Sequence, residues 1–237
     1  SEIMKSFTLI PSVYLKENWA TVFKYFNLFL GMWNSLKVAV PSTLLCAYFS
    51  AMTAYALAMY KFKGNKVLFM TILIFMMIPG QLGLIGFYNL CTKLHLVNSY
   101  IPLIIPAIAS PGTVFFLRQY VLSVMPPSLI EAARIDGLSE FGIFWKIMLP
   151  QVKPAVITLV ILSVNGSWND LLWPMIVTSS TEMRTLANGL ALFIGQNTIE
   201  YGAAFAGALV SLLPMFVLYM FGQKYFVEGM SSGGLKG

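Results

Sequence analysis

Five apolar runs dominate this sequence, and each is long enough to cross a lipid bilayer as a helix. They cover residues 36–60, 67–88, 99–121, 155–174 and 203–227, and a bilayer core requires about twenty residues of helix. Only 10% of the residues are charged, against about 25% in a typical soluble domain. The chain is therefore predicted to be an all-α, polytopic transmembrane helical bundle with five spans. Pro79 and Gly80 are expected to break the second span part-way.

The distribution of lysine and arginine predicts which side of the membrane each connection faces. Five spans place residues 61–66, 125–154 and 228–237 on one side, and together with Arg118 and Lys224 these segments hold nine Lys and Arg residues. The opposite connections after Lys37 hold two, Lys93 and Arg184. Because cytoplasmic loops are enriched in basic residues, we expect a lead-in segment 1–35 outside the cell. A membrane domain 36–227 then follows, with a cytoplasmic loop 125–154 and a glycine-rich cytoplasmic tail 228–237.

The longest polar interval on the cytoplasmic side, Met125 to Pro154, has the pattern of a small folded unit. Ser128 and Glu131 match a capping box, which predicts the start of a helix after Pro126 and Pro127. Gly137 is expected to turn the chain in a backbone conformation that favours glycine. Apolar residues then recur with helical spacing, which predicts a second amphipathic helix, closed by two prolines (Leu138, Phe141, Trp145, Met148; Pro150, Pro154). Such a unit is suited to contact a soluble partner.

The sequence lacks the motifs that most enzymes of this size would need. It contains no G-x-S-x-G elbow, no H-E-x-x-H pair and no glycine-rich phosphate loop. His95 is the single histidine, and Cys46 and Cys91 have no metal-ligand spacing. The net charge of +6 is spread over the loops without a basic stripe, so nucleic-acid binding is not expected. The protein is predicted not to be an enzyme, and any energy it uses would come from a partner or from an ion gradient.

A second polar cluster follows the fourth apolar run and is a candidate for lining a water-filled path between the helices. Amides, a carboxylate and tryptophans lie at helical spacing there (Asn165, Trp168, Asn169, Asp170 and Trp173). Such side chains suit sugar hydroxyls and the apolar face of a pyranose ring, and one wet helix face is geometrically possible. Buried polar groups must otherwise be paired, so the same cluster also fits a role in bracing neighbouring helices. The residues alone leave both roles open.

Three spaced elements of the loop resemble the EAA motif of ABC importer permeases. They are Glu131-Ala132-Ala133, Gly137, and Ile147-x-Leu149-Pro150. The strings Phe116-Leu117-Arg118-Gln119 and Gly166-Ser167-Trp168-Asn169-Asp170 are similar to the carbohydrate branch of that family, in particular the smaller permease of the maltose-type and multiple-sugar systems. The resemblance covers essentially the whole chain and implies the fold of a type I ABC importer permease.

The resemblance also implies roles for residues and a set of partners. The first helix of the loop would be the coupling helix that docks in an ATPase subunit (Glu131, Ala132, Ala133, Arg134, Asp136, Gly137). The tail would reach between the two ATPase subunits (Ser231, Ser232, Gly233, Gly234). The chain would pair with a second permease, two ATPase subunits and an extracytoplasmic sugar-binding protein in the cell membrane of a prokaryote. ATP and magnesium would be held by the ATPase subunits, with no cofactor in this chain.

The chain differs from the family in its number of spans, and three other functions are alternatives to sugar import. Members of the branch usually have six spans, so we expect that Ser1 is not the native start and that the intact protein has a cytoplasmic N-terminus. Import of glycerol phosphate or a polyol is an alternative within the same class. An ion-coupled carrier is disfavoured because Asp170 is the only ionisable residue near the interior of a span. A membrane scaffold without transport is the third alternative.

Overall fold

The computed structural model describes the backbone of residues 14–194 and 200–231, and the side chains of these residues as far as Tyr225. The described part is helical, with short 3-10 turns between several of the helices. The helices are α1 (Leu15–Tyr25), α2 (Leu28–Met59), α3 (Asn65–Met77), α4 (Leu84–Lys93), α5 (Ile101–Ile104), α6 (Pro111–Val124), α7 (Pro127–Ile135), α8 (Glu140–Ile143), α9 (Leu149–Trp168), α10 (Leu172–Val177), α11 (Leu186–Leu190) and α12 (Tyr201–Ser231).

The described residues contain four unbroken candidate spans, or the predicted five if one bent helix pair is counted as a single span, and the bounds differ from the prediction. Four stretches are long and apolar enough to cross a membrane: Leu28–Met59, Ile101–Val124, Glu140–Trp168 and Tyr201–Tyr225. A fifth is formed by Asn65–Met77 and Gly80–Lys93, which meet at an angle of 90°. The bend lies at Pro79. Because Pro79 has no N–H to donate and the residue before it, Ile78, is extended, α3 ends there. The predicted break in the second span is therefore observed.

The first span begins at Leu28, ahead of the predicted position 36. The side chain of Asn27 accepts a hydrogen bond from the Leu30 N–H at 3.1 Å and so caps α2. Buried polar side chains in this extension hold the connection before α11. Asn34 Nδ2 donates to the carbonyls of Glu182 and Arg184 at 2.7 and 3.0 Å. The extra turns therefore anchor a loop at this end of the bundle.

The fourth span is longer than predicted, because Pro150 and Pro154 do not close the preceding helix. From α8 the chain passes through a π-helical turn, Phe144–Met148, into α9 without leaving the helix. Pro150 directly follows the π-helical turn, and such local adjustments satisfy the backbone groups that a proline frees inside a membrane helix. Pro154 lies inside α9, as membrane helices tolerate. The predicted stop is wrong, and the loop leads directly into a span.

Two apolar cores lie at opposite ends of the bundle, and α2 and α9 run antiparallel between them. The first core joins the end of α2 to α6, α7 and the start of α9, and it contains Ala54, Leu117 and Ile130. The second core joins α1, the start of α2, the end of α9, α11 and the start of α12. The interval Met125–Pro154, called here the EAA segment, therefore lies at the same end as the basic connection 61–66.

Candidate functional site

The first helix of the EAA segment is α7, and it begins without the predicted capping box. Pro126 is the residue before α7, Pro127 is its first residue, and no side chain caps the N-terminus. Ser128 lies inside the first turn, so its hydroxyl does not have the position of a cap. The fixed backbone angle of Pro127 favours the first helical position, and this moves the start ahead of the serine. The predicted capping role of Ser128 is wrong.

The capping serine of this segment is Ser139, which sequence analysis missed. Its hydroxyl oxygen accepts a hydrogen bond from the Gly142 N–H at 3.2 Å and starts α8. Gly137 ends α7 with φ of +81°, a left-handed conformation that favours glycine, as predicted. The Gly137 and Leu138 N–H groups donate to the carbonyls of Arg134 and Ala133, both at 3.0 Å. These two bonds form a Schellman motif and fix the turn between the two helices.

The two faces of α7 have different surroundings. Ile130 and Ala133 are each only 3% exposed and pack in the first core. Ala133 is therefore small because it meets the protein's own interior, and its predicted position in a partner's groove is not supported by this packing. The opposite face is exposed (Glu131, Ala132, Arg134, Asp136). Ile135 at the end of α7 is 87% exposed and lies between Arg134 and Asp136 in the chain.

The residues of the predicted path do not share one face. Trp168 is 2% exposed and packs in the second core. Its Nε1–H donates to the carbonyl of Ser211 at 3.2 Å, which ties α9 to α12. The bracing alternative therefore describes Trp168. Because α9 is apolar on all sides, its sequence does not show which side α12 covers.

The remaining members of the path cluster lie at or near the surface of the bundle. Asn165 and Asn169 are exposed, and Asn169 Nδ2 donates to Asn165 Oδ1 at 3.0 Å. Asp170 Oδ1 accepts the Trp173 N–H at 3.3 Å, and the indole of Trp173 meets the ring of Phe87 edge-on at 5.0 Å between centroids. Asp170 and Trp173 therefore shape the turn between α9 and α10, close to α4.

Asp170 also lines a cavity of about 350 Å³ among α2, α9 and the stretch of chain from α5 to the start of α6. Pockets that hold small ligands have volumes of about 300–1,000 Å³. Hydroxyl groups supply much of the remaining polar lining (Ser42, Ser110, Ser163, Ser167), and Cys46 adds a thiol. Sequence analysis missed these serines, because single serines inside apolar runs also occur as helix-packing residues. The cavity offers hydrogen bonds to a polar solute between the helices.

The tail residues that the resemblance assigns to ATPase contact fall at the edge of the described chain. The backbone of α12 continues through Ser231, beyond the predicted end of the fifth span at residue 227. Ser232, Gly233 and Gly234 lie outside the described residues.

The overall architecture is that of a multi-pass membrane permease. It matches the crystal structure of a bacterial ABC transporter involved in the import of the acidic polysaccharide alginate, with a TM-score of 0.75 and 25% sequence identity. The match covers 88% of this chain and 79% of that one. Residues 43–232 match the model of the family described as binding-protein-dependent transport system inner membrane component. The chain belongs to this family, whose members are transport permeases and not enzymes.

Relatives with carbohydrate names confirm the resemblance to the sugar-importing branch. The arabinooligosaccharides transport system permease protein of Bacillus subtilis (strain 168) is 41% identical over 96% of this chain and 81% of its own length. The melibiose/raffinose/stachyose import permease protein of the same organism is 34% identical over 86% of this chain and 75% of its own length. The lactose transport system permease protein of Rhizobium radiobacter is 30% identical over 91% of this chain and 79% of its own length. The chain is a permease of a sugar ABC importer.

Proposed function

We propose that this permease couples sugar movement to ATP hydrolysis through the outer face of α7. It would pair with a second permease, two ATPase subunits that bind ATP and magnesium, and an extracytoplasmic sugar-binding protein, in the plasma membrane of a prokaryote. The observation that carries the proposal is the two-sided packing of α7. One face is anchored in the first core, and the other leaves Glu131, Ala132 and Ile135 exposed.

This arrangement suits a docking element for physical reasons. A helix that is fixed on one face presents the other in a single orientation, so little order has to be gained on binding. The exposed Ile135 provides apolar area for a partner to bury, and Glu131 and Asp136 provide polar groups for the rim of such a contact. The ATPase subunit is the occupant that the family context favours, since the chain has no phosphate loop of its own.

Substitutions on the outer face test the docking. In the full complex, Glu131→Ala and Ile135→Ser are expected to reduce both ATP-dependent sugar uptake and co-purification of the ATPase subunits. Glu182→Ala is the matched control, because Glu182 is also exposed but lies at the opposite end of the bundle. Wild-type uptake and co-purification in both α7 variants would refute the docking role.

We further propose that the transported sugar is an oligosaccharide and that the cavity beside Asp170 lines its path. The named relatives carry arabino-oligosaccharides, melibiose-type oligosaccharides and lactose. Hydroxyls and a carboxylate offer the hydrogen bonds that sugar hydroxyls need when they leave water. Asn165, Asn169 and Trp173 lie near this region, while Trp168 supports it from within the core.

The substrate class is tested by uptake into proteoliposomes that contain the complete importer. Arabinotriose, raffinose, lactose and maltotriose are supplied singly with the partner binding protein, and glycerol 3-phosphate is the control from another class. ATP-dependent accumulation of at least one oligosaccharide is expected. Accumulation of glycerol 3-phosphate with none of the four sugars would refute the proposed substrate class.

A further inference from the structure

Two charged side chains close the turn between α7 and α8. The Arg134 guanidinium donates through Nε to Glu140 Oε1 at 2.7 Å and through Nη2 to Glu140 Oε2 at 3.3 Å. Arg134 lies in the last turn of α7, and Glu140 is the first residue of α8. A two-point contact between a guanidinium and a carboxylate fixes direction as well as distance. The pair therefore spans the Gly137 turn and sets the angle between the two helices.

A third side chain connects this pair to the end of the first span. Tyr60 directly follows α2, and its hydroxyl donates a hydrogen bond to Glu140 Oε2. The Arg134 guanidinium carbon lies 5.6 Å from the centroid of the Tyr60 ring, within the range of a cation–π contact. Burial, together with the hydrogen bond to Glu140, raises the pKa of the Tyr60 hydroxyl above its usual value, so this group remains a donor at neutral pH.

The three residues are called here the hinge cluster (Tyr60, Arg134, Glu140), and each belongs to a different helical element. The three elements can move together only while these side chains stay in contact. Tyr60 belongs to the end of α2, Arg134 to α7, and Glu140 to the helix that continues into α9. The Schellman hydrogen bonds at Gly137 fix the backbone turn between α7 and α8, but they connect neither helix to α2. The hinge cluster closes that turn on the side next to α2.

We propose that the hinge cluster positions α7 so that its displacement is transmitted to α2 and to α9. The proposal rests on the proposed docking of α7 and deepens it. Arg134 is exposed but acts through its contact with Glu140, whereas Glu131 and Ile135 carry the contact with the ATPase subunit. Arg134 and Glu140 are positioning residues, with 43% and 51% of their side chains exposed. An ion pair this exposed stabilises the fold only slightly, so its loss should leave the protein folded.

The test separates docking from transmission in the complete importer reconstituted in proteoliposomes. Glu140→Gln and Tyr60→Phe are expected to retain wild-type co-purification of the ATPase subunits. They are expected to lower the amount of sugar moved per ATP hydrolysed by about 2- to 30-fold, the range in which residues along a coupling route act. Glu182→Gln is the control, because it makes the same carboxylate-to-amide change at an exposed residue at the opposite end of the bundle.

A double-mutant cycle shows whether the charges act through each other. If they do, the double variant Arg134→Gln, Glu140→Gln lowers the amount of sugar moved per ATP hydrolysed no further than the more severe single variant. Independent, multiplying effects would overturn the pairing, and an unchanged ratio in both Glu140→Gln and Tyr60→Phe would overturn the transmission role. Loss of ATPase co-purification in these variants would also overturn it, since the cluster would then serve docking. Absence of ATP-dependent transport in the wild-type complex would instead refute the proposed function itself.

Discussion

Replacement of Gly137 perturbs the turn of the EAA segment through the backbone alone. The residue has φ of +81°, and apart from Gly137 itself and its two chain neighbours no residue has an atom within 4 Å of the position that a Cβ would occupy. An L-residue in a left-handed conformation costs about 1–2 kcal/mol, and a β-branched residue such as valine is expected at the upper end or beyond. A penalty of that size lowers the population of the native turn relative to its open forms by about 5- to 30-fold.

This penalty predicts how ATPase co-purification and sugar uptake rank among variants of Gly137. Asparagine tolerates the left-handed region better than other non-glycine residues, so ATPase co-purification and uptake should fall from Gly137 through Asn and Ala to Val. The apparent melting temperature in detergent should drop by about 2–8 °C for Gly137→Ala if the scaling known for soluble domains of this size applies. The assays are a thermal melt of the purified complex and ATPase co-purification from membranes.

Gly64 provides a matched control for the backbone effect. It has φ of +94°, and again nothing lies within 4 Å of the point where a Cβ would stand. Gly64→Ala should lower the melting temperature by a similar amount while ATPase co-purification stays at the wild-type level. The reasoning is refuted if Gly137→Val co-purifies like wild type, or if Gly64→Val loses as much ATPase as Gly137→Val.

Three further outcomes are expected. Trp168→Phe removes the hydrogen bond to the Ser211 carbonyl. The loss should cost about 0.5–1.5 kcal/mol of stability, with a further loss of packing, and should lower the melting temperature. Unchanged stability together with lost uptake would contradict the bracing role. Asp170→Asn should lower maximal uptake without changing the half-saturating sugar concentration, because the binding protein sets that affinity; unchanged maximal uptake would remove Asp170 from the path. Ser167→Trp should fill the cavity and block uptake while ATPase co-purification persists, and normal uptake would show that the cavity is not on the path.

Local sequence determined the features that depend on solvent and on backbone geometry. The apolar runs predicted the spans because a chain in lipid must pair its own backbone groups, and helices do so within one segment. The break at Pro79 and the turn at Gly137 followed from the restrictions on proline and the freedom of glycine. The EAA spacing and the sugar-branch strings identified the family, which the similarity to known permeases confirmed.

Only the tertiary structure decided which side chains face each neighbour. Spacing of three and four residues shows that Asn165 and Trp168 are neighbours along α9, but an apolar helix gives no sign of which face another helix covers. Contact with α12 placed Trp168 in the second core, and contact with the first core turned Ala133 inward. The hinge cluster was equally hidden, because Tyr60 and Glu140 lie far apart in the chain and meet only when α2 and α9 pack antiparallel.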